Sequence, residues 1–275
     1  MGPLLTVDVN EKLHAARGVG DATMQCSMDL GKSTTTVTLG AAAWTWEGQS
    51  FPYLETCKPR TIYHWTGDAF EPVARYATSL IKLVPTPWGP PTFEIDGIKM
   101  LPTATVSPYA DAMRKVGLIQ PKGKLILDTC GGLGYFAACC LQGQAAKVLS
   151  FEKNPDVIWL RSLNPWSPQP GPATDSSLTL TLGDVTAAIT TLPDGAVDAI
   201  LHDPPRFGIA GELYSQVFYD QLARVIRRRG RLFHYTGTPN RITSGRNVPE
   251  EVSTRLRRAG FATELNGDGI VATRR

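Results

Sequence analysis

The chain has 275 residues, 42% hydrophobic and 19% charged, with a formal net charge of +3, a globular composition long enough for one large domain or two modest ones. No apolar run approaches the roughly 18 residues of a membrane-spanning helix, and the N-terminal stretch lacks a basic segment ahead of an apolar core, so no membrane anchor or secretory signal is expected. Cysteines at 26, 57, 130, 139 and 140 form no C-x-x-C pair, which argues against a disulfide framework and a zinc cluster; no metal and a cytoplasmic location are expected.

Residues 23 to about 104 are rich in Thr, Trp, Tyr and Phe and read as short strands at 34–39, 42–46, 50–55 and 61–65, with a turn at 47–49. VARYATSLIKLV (73–84) has a helical period and predicts one helix. A loop follows at 85–92. TFEIDGIKML (92–101) sets Asp96-Gly97 between alternating apolar residues, a strong hairpin signal. From about Ser107 the texture changes. Helices are expected at 108–118, 135–143, 155–163, 185–192, 217–228 and 250–261. Strands are expected at 124–128, 147–152, 178–184, 197–203 and 230–237, before a final strand pair, and a proline-rich loop spans 164–177. This alternation predicts an α/β fold: a doubly wound, mostly parallel, Rossmann-like sheet over 107–275, preceded by a smaller N-terminal β-rich domain over 1–106.

LILDTCGGLGYFAA (125–138) reads as strand, glycine loop and helix. Gly132-x-Gly134-x-x-Ala137 fits a nucleotide-binding fingerprint, with Glu152 twenty residues beyond Gly132 to meet ribose hydroxyls. Asp128 changes that reading. A carboxylate beside a pyrophosphate is repelled, whereas beside a sulfonium amino acid it receives the ammonium, directly or through water. The D-x-x-x-G-x-G pattern resembles motif I of class I S-adenosylmethionine-dependent methyltransferases, and the resemblance covers about 107–275. It implies S-adenosyl-L-methionine as cofactor, with the loop at Cys130 (through its backbone), Gly132 and Gly134 under the methionine and ribose portions. It also implies Glu152 on both ribose hydroxyls and Asp184, in TLGDV, near the adenine amino group. Taken singly, Glu152 or Asp184 reads equally well as a helix cap or loop acid.

Residues 201–207, LHDPPRF, leave the fourth strand through an acid and two prolines. Proline fixes φ, offers no N–H and restricts the residue before it, so Asp203 sits on a stiff, extended turn at the lip of the sheet. In methyltransferases that act on exocyclic base amines, the resemblance implies that Asp203 and a carbonyl of Pro204 or Pro205 accept hydrogen bonds from the amine, while an aromatic stacks on the base. Arg206 stands where that aromatic is usual and Phe207 follows one residue later. D-P-P-x-F also resembles ribosomal RNA methyltransferases acting at cytosine C5 or guanine N7. C5 chemistry needs a cysteine nucleophile, and no cysteine lies beyond Cys140. An exocyclic amine, cytosine N4 or adenine N6, in ribosomal or transfer RNA is therefore preferred, with guanine N7 left open. Arg206 reads as a phosphate or base contact or as a surface arginine. His234 and Tyr235, on the next strand, read as substrate-facing or as core.

From Arg224 onward there are twelve arginines, no lysine and four acids, a surplus of eight positive charges that suits an RNA partner or reflects codon bias. The N-terminal aromatics Trp44, Trp46, Tyr53, Tyr63 and Trp65 read as a small β core, with base stacking as a second use. Polyamine aminopropyltransferases share the expected fold and a small N-terminal β domain, but their paired-acid D-x-x-x-D gate is not evident in HDPPRFG. A small-molecule amine methyltransferase is a further alternative. A non-catalytic cofactor-binding protein fits less well with an intact Asp128, Glu152, Asp184 and Asp203 set.

Overall fold

The computed structural model describes residues 2–171, 176–237 and 247–275. Two compact units divide the chain: Met1–Pro108 with Trp159–Trp166, and Tyr109–Ile158 with Ser167–Arg275. The first unit thus includes a segment, 159–166, that the sequence-based division gives to the second. No helix among the described residues is long and apolar enough to cross a membrane.

The first unit contains β1 (Leu4–Leu5), α1 (Val7–Gly18), β2 (Thr23–Cys26), β3 (Thr35–Leu39), β4 (Ala43–Trp46), β5 (Gln49–Pro52), β6 (Tyr63–Trp65), β7 (Phe70–Pro72), β8 (Ala74–Tyr76), β9 (Leu80–Val84), β10 (Thr92–Ile95) and β11 (Ile98–Lys99). These form three small antiparallel sheets. Asp96 and Gly97 both take positive φ, 48° and 78°, which builds the tight turn joining β10 to β11. The helix expected over 73–84 is instead β8 and β9. Ile81 pairs with Ile95 and Leu83 with Phe93, which buries Ile81, Leu83 and Phe93 in a sheet, and tertiary pairing overrides the helical period. Trp44, Tyr53 and Tyr63 are buried, and Trp44 stacks on Phe51 at 4.7 Å, so these aromatics are core.

The second unit begins with α2 (Pro108–Ile119), followed by β12 (Leu125–Asp128), α3 (Tyr135–Gln142), β13 (Lys147–Glu152), α4 (Pro155–Leu163), which runs on into the first unit, β14 (Leu178–Leu182), α5 (Val185–Ala188), β15 (Val197–His202), α6 (Gln216–Val225), β16 (Ile226–Tyr235), α7 (Val248–Arg258), β17 (Phe261–Asn266) and β18 (Gly269–Arg274). The strands make one seven-stranded sheet in the order β14-β13-β12-β15-β16-β18-β17. The first five are parallel, and β18 is antiparallel to both β16 and β17. This is the α/β doubly wound arrangement expected, with an antiparallel hairpin closing one edge. The strand order reverses between β12 and β15, and at such a switch point a crevice opens beyond the carboxyl ends of the strands.

The helix expected over 217–228 ends at Val225, because Ile226 pairs with Val197 and opens β16. Residues 172–175 of the proline-rich loop lie outside the described residues.

Candidate functional site

At the switch point, the loop after β12 is tied to the end of β15. Thr129 N donates to Leu201 O at 3.1 Å. Thr129 Oγ1 lies 2.7 Å from His202 Nδ1, and His202 Nε2 lies 3.1 Å from the Leu213 carbonyl. The carbonyl can only accept, so Nε2 carries the hydrogen and Nδ1 takes the threonine proton. The loop then turns through Gly132 (φ 50°) and Gly134 (φ 81°), the latter capping α3 in the left-handed region where glycine is favoured. Glu152, at the end of β13, reaches back across the loop. Its Oε2 accepts from Gly132 N at 2.9 Å and its Oε1 from Asn154 N at 2.8 Å. Asp184, after β14, accepts from Thr186 N at 2.8 Å as the N-cap of α5 and pairs with Lys153 at 2.7 Å. The Lys153 contact, with the Thr186 hydrogen bonds, holds its carboxyl below the ordinary value.

Across the crevice, Asp203 follows β15 and faces α2. Lys115 of α2 is 1% exposed. Its Nζ lies 2.7 Å from Asp111 Oδ2, 3.7 Å from Asp203 Oδ2 and 3.7 Å from Asp268 Oδ2. It also sits 4.2 Å from the centre of the Tyr235 ring. Arg114, one residue earlier, bonds Asp268 Oδ1 at 2.6 Å and Asp111 Oδ1 at 3.0 Å. Three carboxylates therefore share two cations around the Asp203 turn. Burial pushes the Asp203 carboxyl above the ordinary carboxylate value against the pull of Lys115, and Asp111 and Asp268 add to the rise. Burial works against the Lys115 ammonium, but Asp203, Asp111 and Asp268 overcome it and raise its pKa.

Beneath the turn, His234 is 0% exposed. Its Nδ1 meets the Tyr235 carbonyl at 2.8 Å and its Nε2 meets Tyr219 Oη at 2.9 Å. It crosses the His202 ring edge-on, with centroids 4.5 Å apart. Burial lowers both imidazoles, His202 well below the ordinary value and His234 to about 4, so both are neutral packing groups at neutral pH.

Residues 158–240 match the family of S-adenosyl-L-methionine-dependent methyltransferases, a stretch that includes β14, β15, the Asp203 turn and all of α6 and β16. The chain carries an S-adenosylmethionine-dependent methyltransferase domain. An uncharacterized protein of Methanocaldococcus jannaschii is 42% identical over 197 residues, which span 70% of this chain and 66% of that protein. A solved spermidine synthase bound to a transition-state analogue has a TM-score of 0.56 at 14% identity over 73% of this chain and 71% of its own. Spermidine synthase from Thermotoga maritima has a TM-score of 0.54 at 15% identity over 73% and 70%. These two likenesses are of fold.

The methyltransferase domain has a donor set that fits the cofactor. The two positive-φ glycines let the backbone approach a ligand closely, and Glu152 brings a carboxylate to that loop from the adjoining strand. Glu152, the glycine loop and Asp184 are the groups that would hold ribose, methionine and adenine. Asp128 departs from expectation. It is 0% exposed, and its Oδ2 accepts from Ser150 Oγ at 2.8 Å. In this structure it braces β12 against β13, and contact with an ammonium requires the loop to part. Cys130 is half-buried, and burial raises its thiol well above the ordinary value.

Asp203 and Tyr235 both face Lys115 beside the crevice. Three expectations need correction. His234 is enclosed and cannot face a substrate. The Pro205 carbonyl already accepts from Tyr214 Oη at 3.0 Å and Pro204 is buried, which leaves the partly exposed Asp203 carboxylate as the acceptor of the turn. Phe207 is half-buried and lies edge-on to Tyr214 at 5.4 Å, against the core, so its ring contributes packing. Arg206 is exposed. Sequence reasoning missed Asp111, Arg114, Lys115 and Asp268. Asp111 and Lys115 have the i,i+4 spacing of an ordinary surface pair, and Asp268 stands in a hairpin turn, NGDG. Only the packing of α2 beside that turn distinguishes them.

Proposed function

We propose that the protein transfers a methyl group to a nitrogen of a nucleobase in RNA, with an exocyclic amine, cytosine N4 or adenine N6, as the preferred acceptor. The observation that carries this reading is the Asp203 carboxylate, held on a two-proline turn at the end of β15 beside the glycine loop. The bound cofactor supplies an electrophilic methyl group. Asp203 accepts a hydrogen bond from the amine, orients its nitrogen lone pair and takes up the proton that the nitrogen sheds after transfer. The stiffness of the turn supplies the orientation on which an in-line displacement depends. A base must leave its stack to enter such a crevice, which favours single-stranded or opened RNA. The exposed arginines of β16 support a polyanionic partner.

The three carboxylates around two cations favour one further reading, a small cationic amine as acceptor, by methyl transfer or by transfer of an aminopropyl group. The test is incubation with tritiated S-adenosylmethionine and RNA from cells lacking this gene, followed by nucleoside digestion and chromatography. Label in a methylated cytidine or adenosine is the expected outcome. Unlabelled RNA, alongside product formation from an aliphatic amine, would replace this reading by the second.

A further inference from the structure

Lys115 has no place in the chemistry described above, yet it is the most enclosed cation beside the catalytic turn. Ending on α2 with its ammonium buried, it has no solvent to stabilise its charge, and such a group persists only with charged partners. Those partners come from three elements: Asp111 of α2, Asp203 after β15 and Asp268 in the β17–β18 turn. The Tyr235 ring of β16 closes a fourth side. The Asp268 position is itself fixed, because its backbone oxygen accepts from Thr236 N at 3.1 Å and Gly237 N at 2.9 Å.

The distances divide the work. Asp111 takes the close contact at 2.7 Å, while Asp203 stands off at 3.7 Å. A carboxylate hydrogen-bonded tightly to Lys115 would have its acceptor capacity directed at the lysine. At 3.7 Å the ammonium acts mainly through charge and leaves the Asp203 oxygens to a substrate. Without that charge, Asp203 would face Asp111 and Asp268, two like charges, in a partly enclosed setting, and would take up a proton at a higher pH. A protonated Asp203 can neither accept the amine hydrogen bond through that oxygen nor take up its proton.

We infer that Lys115 is a positioning residue that keeps the Asp203 carboxylate charged and its oxygens open to the acceptor amine. The inference rests on the reading of Asp203 as the acceptor-orienting group, and it holds for a nucleobase amine and for an aliphatic amine alike. The charged and titratable groups facing Asp203 are Lys115 and Asp111 from α2, Asp268 from the β17–β18 turn, Tyr235 from β16 and Cys130 from the glycine loop; Arg114 acts through Asp111 and Asp268.

The test is direct titration of Asp203 by NMR in protein carrying ¹³C-labelled aspartate carboxyls, assigned by Asp203→Asn, together with the pH profile of transfer. Lys115→Met should raise the Asp203 midpoint, and the acid limb of the profile with it, by about one pH unit or more, a tenfold change in proton affinity. Lys115→Arg should restore the original midpoint. Asp268→Asn should move it the opposite way, downward, and this variant keeps the proposal testable if Lys115→Met does not fold. Midpoints that stay fixed, or that move the same way in Lys115→Met and Asp268→Asn, would overturn the inference and leave Lys115 a packing residue. The carboxyl titration needs no acceptor, so a failure to methylate RNA would count against the functional reading and leave this result standing.

Discussion

The two ends of β16 carry charge in opposite ways. At its start, Arg227, Arg228 and Arg229 are all exposed, where a regular strand would alternate them between faces. A bulge makes this possible: the pairing register with β15 shifts between Val197 and Ala199, and Arg229 takes φ 64°. Gly230 follows because a Cβ there would lie 2.6 Å from Ile226 Cγ1. At its end, Tyr235 lies over a buried lysine, and three carboxylates, Asp111 buried and Asp203 and Asp268 partly exposed, sit within bonding or ion-pair distance of that lysine. The difference is solvent. Exposed pairs are screened and worth little, whereas removing one member of a buried set leaves its partners charged and uncompensated. The acid-lined end should therefore be sensitive to single substitutions and the arginine end tolerant of them.

The largest effect expected is that of Asp203→Ala. Turnover should fall to background while S-adenosylmethionine affinity, measured by calorimetry, stays nearly unchanged; loss of cofactor binding in that variant would remove Asp203 from the acceptor side. Next is Lys115→Met, which should cost about 3 kcal/mol of stability by denaturant titration, as for a buried pair broken on one side. A cost under about 0.5 kcal/mol would mean that the pocket is wetter than its burial implies and would erase the contrast between the two ends. The raised Asp203 carboxyl also sets a sign for pH. Activity should be lost as pH falls through its elevated value, at a higher pH than an ordinary aspartate would give.

The cofactor side should respond less steeply. Glu152→Ala should weaken S-adenosylmethionine binding by about 1–3 kcal/mol, the usual loss for a hydrogen bond to a charged group. Unchanged affinity would make Glu152 only a brace for Gly132.

The sheet was legible because its periodicity is local. KVLSFE and PDVIWLRSL match β13 and α4 residue for residue, and the strand-end acids follow from strand position. The helix expected over 73–84 failed because its apolar spacing serves a sheet whose partner strand comes later in the chain. The Lys115 network was illegible for a related reason. Its members are separated by up to 157 residues, from Asp111 to Asp268, and each has an ordinary local explanation. Spacing reveals that a side chain lies on a helix face or in a turn; burial decides whether its charge matters. His234 shows the converse, since its place near the carboxyl end of a strand suggested substrate contact and packing denied it.

The smallest effect separates the arginine end from decoration. Arg228 and Arg258 line a groove of about 550 Å³ together with Arg224, Arg227 and Arg274. Of these, Arg224 bonds Asp194 at 2.7 Å, Arg227 pairs with Asp198 at 2.5 Å and Arg274 bonds the Ala223 carbonyl at 2.9 Å. Replacing Arg228 and Arg258 together by alanine should therefore leave stability within about 0.5 kcal/mol and cofactor affinity unchanged. If the groove meets an RNA backbone, the slope of log affinity against log salt should become shallower by about 1.4, the loss expected for two phosphate contacts on a single strand. A parallel slope with unchanged affinity would assign these arginines to the solvated surface, and the RNA reading would then rest on the Asp203 edge alone.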